Sequence, residues 1–298
     1  MKRPSIVYFL FLLSGITALV YEIVWARMLT LVFGHTIFSV SIVLAAFMTG
    51  LGFGSYYFGH VIDQIANENK HLNGDNFNEN LTEGSRPDNP LLVYGYIEIL
   101  IFLTCSIVSL VLFKFPDIYS WLSYYVPESV VTQNIVKALL AFALMLIPAF
   151  FMGATLPTIS KYFIADNIKI CSQVGVLYGI NTLGAALGCF LTGFFLVATF
   201  GVLQTVLSAA MINLFIGICA IRIYQESGGI LKKIRVPRLA RFSFKWEREH
   251  NVWLAVSFVC GFTALAYEVI WSRLLVFSIA STVYSFSMML GVFLLGIM

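Results

Sequence analysis

The sequence predicts an all-α fold: a polytopic transmembrane helical bundle of about eight helices that contains a parallel internal repeat. Three observations predict it. Hydrophobic residues make up 59% of the 298 and charged residues 11%, against roughly 25% charged in a soluble domain. Apolar runs of 18 residues or more recur along the chain, each long enough to cross the roughly 30 Å hydrocarbon core as a helix. A block near the start also returns near the end. Barrel strands are excluded, because they alternate apolar with polar residues and these runs do not.

In chain order the runs place helices at about 5–33, 37–62, 91–113, 133–163, 172–198, 202–223, 252–277 and 281–298. The first follows Met1-Lys2-Arg3 as a signal peptide would. It is too long for one, and no small-residue cleavage site follows it. After the second helix, 63–90 is rich in Asn and acidic residues and reads as a flexible cytoplasmic loop. Between the third and fourth, Tyr119, Trp121, Tyr124 and Tyr125 suit the headgroup level, so that loop is expected to lie along the membrane surface. The fourth helix holds Pro148 and Pro157, which remove backbone donors and predict a bend around Gly153. Gly50, Gly52 and Gly54 in the second helix, and Gly175, Gly179, Gly184 and Gly188 in the fifth, predict close helix packing.

The chain thus divides into a first six-helix membrane unit at 1–224, a basic cytoplasmic linker at 225–250, and the start of a second membrane repeat at 251–298. The linker alternates Lys232, Lys233, Arg235, Arg238, Arg241, Lys245 and Arg248 with Ile234, Leu239, Phe242, Phe244 and Trp246. It reads as a topology signal, or as a surface segment at 228–248 that binds anionic lipid. With the N-terminus in the cytoplasm, nearly all Lys and Arg fall inside and little more than Lys114 falls outside, as the positive-inside rule requires. A cell membrane location follows. The pattern gives no reason to expect a nucleic-acid partner. The five cysteines lack metal-ligand spacing, the four histidines are scattered, and no catalytic constellation is legible. No catalytic residue, metal site, disulfide or cofactor is expected.

The repeat is the strongest organisational feature. Gly15 to Gly50 aligns without gaps with Gly261 to Gly296 at an offset of 246, with 15 identities in 36 positions. They include Tyr21/Tyr267, Glu22/Glu268, Trp25/Trp271, Arg27/Arg273 and Ser41/Ser287. Six helices lie between the copies' starts, so both run in the same direction, related by an axis along the membrane normal. The second copy stops within its second helix, which predicts a truncated piece of a longer protein.

Four stretches carry a resemblance: Ala18 to Arg27 (ALVYEIVWAR), Tyr94 to Glu98 (YGYIE), Met152 to Pro157 (MGATLP) and Leu177 to Ala185 (LYGINTLGA). Together with the second copy of the repeat, they resemble the membrane-embedded spermidine synthase-like proteins, fused major-facilitator/spermidine synthase chains. The resemblance implies a membrane region attached to a soluble aminopropyltransferase-like domain, in cis or in trans, and a connection with polyamines. No such soluble domain lies in these residues.

Ionisable side chains inside a membrane are costly and mark sites by default. Five fall in the helices: Glu22, Arg27, Glu98, Glu268 and Arg273. Glu22 and Glu268 are expected either to form structural ion pairs with Arg273 and Arg27, or to hold a proton or cation. Glu98 has no basic neighbour in sequence and is the best single candidate to bind an amine. It is expected to face the interior near the bend at Gly153–Pro157, with Thr155 and Asn181 beside it. Two functions stand open: transporter-like handling of polyamines or related amines, and a passive anchor for a synthase domain.

Overall fold

The computed structural model describes residues 4–34, 36–72, 90–126, 129–163, 170–226, 248–279 and 282–298. The fold is an all-α helical bundle, and among the described residues there are no strands. In order come α1 (Pro4–Phe33), α2 (Thr36–Leu72), α3 (Pro90–Phe113), the short α4 (Phe115–Leu122), α5 (Val130–Phe163) and α6 (Ile170–Leu191). A π-helical segment, Thr192–Leu196, leads into α7 (Val197–Phe200). α8 (Val202–Glu226), α9 (Arg248–Ile279) and α10 (Thr282–Ile297) complete the chain.

Among the described residues, seven helices are long and apolar enough to span a membrane, with α6, the π segment and α7 forming one span. The chain is a multi-pass membrane protein. The expected eighth span is shorter. The apolar part of α10 covers Val283–Ile297, about 22 Å at 1.5 Å per residue, less than the hydrocarbon thickness.

Helix ends follow local chemistry. Pro4 and Pro90 stand first in α1 and α3, where the missing N–H goes unneeded. Gly34 ends α1 at φ +69° with its N–H donating to the Thr30 carbonyl at 2.9 Å, a left-handed cap that only glycine adopts cheaply. α2 runs on through Leu72, so the first ten residues of the expected 63–90 loop are helical. No Gly or Pro falls between Gly59 and Gly74, and helix can therefore continue past the membrane. The rest of that loop and most of the 225–250 linker, with its expected lipid-binding segment, lie outside the described residues.

Small residues set the packing. A Cβ on Gly54 or Gly153 would strike backbone of the facing helix, because α2 and α5 approach to backbone contact there. α6 presses Gly184 and Gly188 against Leu12 and Ile16 of α1 in the same way, whereas Gly175 and Gly179 meet nothing. Pro148 and Pro157 both lie inside α5, where each removes a rung of the helix ladder. The main core centres on Trp25, fully buried, with Tyr21 at 5.5 Å and Phe47 at 5.6 Å between ring centroids. Its indole N–H donates to Ser109 Oγ on α3 at 2.9 Å. α4 turns over the end of this core: Tyr119 is buried and its hydroxyl donates to the Gln133 carbonyl at 3.1 Å, while Trp121 and Tyr124 are exposed.

Candidate functional site

Two buried carboxylate centres occupy the bundle, and their chemistry differs. The first is Glu98 on α3, 0% exposed. Ser14 Oγ of α1 donates to Oε1 at 2.7 Å, and Asn213 Nδ2 of α8 donates to Oε2 at 2.7 Å. The Asn213 carbonyl oxygen in turn accepts from the Tyr21 hydroxyl at 2.9 Å. The Tyr94 hydroxyl is buried beside this group, outside hydrogen-bond geometry. Both carboxylate oxygens are therefore occupied by protein donors, which tie α1, α3 and α8 together.

This arrangement departs from the expected amine site. Glu98 does face the interior, but its hydrogen-bond partners are Ser14 and Asn213, not Asn181 or Thr155. Thr155 spends its hydroxyl on the Met152 carbonyl of its own helix at 2.8 Å. Asn181 packs its backbone and side chain against Gly15, at one of the close approaches of α1 and α6. An amide within an apolar run such as Asn213 reads in the sequence as interhelical glue or as a ligand-facing group, and here it bonds across helices to Glu98.

The second centre joins the two copies of the repeat. Glu22 of α1 and Glu268 of α9 are each 4% exposed. They lie near enough to interact as like charges, and Cys189 of α6, also buried, lies within range of both. Each glutamate has a buried Oε1 without a hydrogen-bond partner. Three residues beyond Cys189 the π segment begins, and it carries further unpartnered oxygen. Thr192 Oγ1 is buried and unbonded, as is Ser287 Oγ of α10, which rests against Gly193. A π segment inside an α-helix is uncommon and tends to occur at functional sites.

The expected ion pairs are absent. Neither Glu22 to Arg273 nor Glu268 to Arg27 forms a salt bridge; among the described residues these are Lys114–Asp117 at 3.7 Å and Lys161–Asp63 at 2.7 Å. The reason is the symmetry. Two parallel copies about a common axis put equivalent residues on the same level, so the two glutamates fall within electrostatic reach of each other and the two arginines line one cleft. The arginines line a separate cleft beginning at the next residue along each helix. Ile23, Ala26, Arg27 and Thr30 of α1 face Val269, Ser272, Arg273 and Val276 of α9, with Val40 and Phe286 beside them. Each of these pairs is related by the offset of 246, which places the repeat axis through the cleft.

Buried carboxylates without basic partners are expensive in a low-dielectric interior, and two together more so. What relieves them is a shared proton or a cation between them. Among the described residues no three His, Cys, Asp or Glu side chains are grouped to hold a metal ion. The centre instead offers two carboxylates, each with an unbonded oxygen, a pairing suited to a proton or an ammonium group. Comparison with family models, curated proteins and solved structures finds no match to this chain.

Proposed function

We propose that this chain is a transporter-like membrane domain that binds a cation between its two repeats, at Glu22 and Glu268. The observation that carries this reading is the burial of two repeat-equivalent carboxylates within electrostatic reach of each other, each with an unpartnered oxygen and no basic residue paired to it. A passive anchor gains nothing from such a centre and bears its cost. A transporter of parallel-repeat design has a use for it, because a site on the repeat axis is shared by the two halves that move. The resemblance to spermidine synthase-like membrane proteins supplies the substrate class, a polyamine or related amine. An ammonium offers three donors, matching acceptor oxygens of the two carboxylates. The reading includes a cell membrane location with the N-terminus in the cytoplasm, as the Lys and Arg distribution requires. Glu98 serves as a structural knot in this scheme.

The test is binding of radiolabelled spermidine to purified protein, compared at matched folded amounts. Glu22→Gln and Glu268→Gln should each weaken binding by roughly tenfold or more, since a lost charge-assisted bond is worth about 1.5–3 kcal/mol. Glu98→Gln should lower stability by about 1–3 kcal/mol, because its amide nitrogen would confront a donor, yet leave binding intact once folded protein is matched. A wild type that binds no amine, or glutamate variants that bind as well as wild type, would favour the anchor over the transporter.

A further inference from the structure

The cleft lined by the two arginines has chemistry opposite to that of the carboxylate pair. It is a partly open cleft with about 30 Å³ of room for water-sized groups between its walls. Arg27 is half-buried within it. Arg273 is more exposed, its guanidinium 5.6 Å from the centre of the Phe277 ring. No carboxylate faces either one across the cleft: the rest of the lining is apolar apart from Thr30 and Ser272. Both hydroxyls donate into their own helices, to the Ala26 carbonyl at 2.8 Å and the Val269 carbonyl at 2.8 Å, which leaves oxygen lone pairs but no free donor. The guanidiniums are thus the cleft's donors, five N–H groups each.

Two like charges lining one apolar cleft of a membrane protein repel each other unless an anion lies between them. We infer that the cleft is an anion site that takes a phosphate group, gripped by one guanidinium from each repeat. A tetrahedral oxyanion offers each planar fork two oxygens. The apolar walls from Ile23, Val40, Val269 and Phe286 exclude water and suit a phosphate carried on an apolar body. A phospholipid headgroup and a free phosphate share this chemistry, and the cleft recognises the group common to both. Because the site stands on the repeat axis, its occupancy reports on how the two repeats sit against each other. It does not depend on the cation reading of Glu22 and Glu268.

The experiment uses the whole chain in uncharged detergent and follows the thermal unfolding midpoint at constant ionic strength. One arm titrates dioleoylphosphatidylglycerol in mixed micelles, with dioleoylphosphatidylcholine as the zwitterionic control. The other titrates sodium phosphate, with sodium chloride as control. A saturable rise in midpoint is expected in at least one arm, since a ligand that binds only the folded state stabilises it. A rise with phosphatidylglycerol alone assigns a lipid headgroup; a rise with inorganic phosphate assigns a soluble oxyanion. Arg273→Gln should weaken the apparent affinity roughly tenfold, the loss of one charge-assisted contact, and Arg27→Gln at least as much. Arg273 is exposed, so its variant keeps the test alive even where Arg27→Gln folds poorly. Lys114→Gln, a charge remote from the cleft, should change nothing. No saturable rise in either arm, or a rise retained in full by Arg273→Gln, overturns the assignment.

Discussion

The two copies of the repeat use the same residues in opposite surroundings. Tyr21 and Trp25 of α1 are both 0% exposed, whereas their equivalents on α9, Tyr267 and Trp271, are 62% and 60% exposed. α1 is enclosed by α2, α3, α6 and α8, while α9 touches α10 and little else. Yet Glu22 and Glu268 are buried to the same degree. The difference shows that burial in a membrane bundle is a property of neighbours, and that residue identity records which face expects them. The common feature shows where the copies meet.

The sharpest way to break this comparison is to remove the large ring from the enclosed copy. Trp25→Ala opens a cavity against Tyr21 and Phe47 and strands Ser109 Oγ without its indole donor. A loss of about 3–5 kcal/mol is expected, the range for large aromatic truncations in a packed core. Equilibrium unfolding in mixed micelles with increasing SDS measures it. A loss under about 1 kcal/mol would mean that the α1 surroundings are loosely packed and that the contrast between the copies is weak.

The glycine pair Gly15/Gly261 sharpens the same point at smaller scale. A Cβ on Gly15 would collide with the Asn181 backbone, whereas one on Gly261 meets nothing within 4 Å. Gly15→Ala should therefore destabilise by about 1–3 kcal/mol through forced separation of α1 and α6. Gly261→Ala should be neutral or stabilising by up to about 1 kcal/mol, since alanine is the better helix former. Thermal midpoints of the two variants decide it, and equal shifts of the same sign would contradict the packing contrast.

Much of this was legible in the sequence for a simple physical reason. A run of 18 or more apolar residues has few options besides a membrane helix, so α1, α3, α5 and α8 lie close to where the runs placed them. Polar composition reads as loop from residue 63, yet α2 stays helical to Leu72; the signal for that is the absence of Gly and Pro between Gly59 and Gly74. The π segment at Thr192–Leu196 left no sequence mark; it lies where Gly193 packs against Ser287 of α10. Among site residues, Glu22, Glu98 and Glu268 were identified by type, because carboxylates in apolar runs are conspicuous. Their partners were not. Ser14 and Asn213 reach Glu98 from 84 and 115 residues away, and sequence spacing carries no information over such separations. The pairing of glutamate with arginine followed charge complementarity and overlooked the symmetry, which sets like against like. That signal was present in the constant offset of 246.

The smallest effect belongs to the exposed copy, and its smallness is the informative part. Trp271 has the same local sequence as Trp25, with tyrosine four residues before it and arginine two residues after it in both copies. In α1 the tyrosine hydroxyl and the indole N–H find Asn213 and Ser109; on α9 no comparable acceptor is bonded to Tyr267 or Trp271 among the described residues. An indole and a phenol can rest at the membrane interface with their polar tips near water, which suits an exposed helix face. Trp271→Ala should then cost about 0.5 kcal/mol or less, as for surface positions without special contacts, against several kcal/mol for Trp25→Ala. Indole fluorescence offers a second readout, because a lipid- or detergent-facing Trp271 should be quenched by brominated detergent while Trp25 is not. Comparing quenching in Trp25→Phe and Trp271→Phe separates the two signals. If Trp271→Ala instead costs more than about 1.5 kcal/mol and Trp271 escapes the quencher, then a further surface covers α9 in the purified protein, arranged as α3 and α8 are around α1. The two copies would then differ only in which neighbours are close to hand, and the matching Tyr and Trp would mark the face where that surface docks.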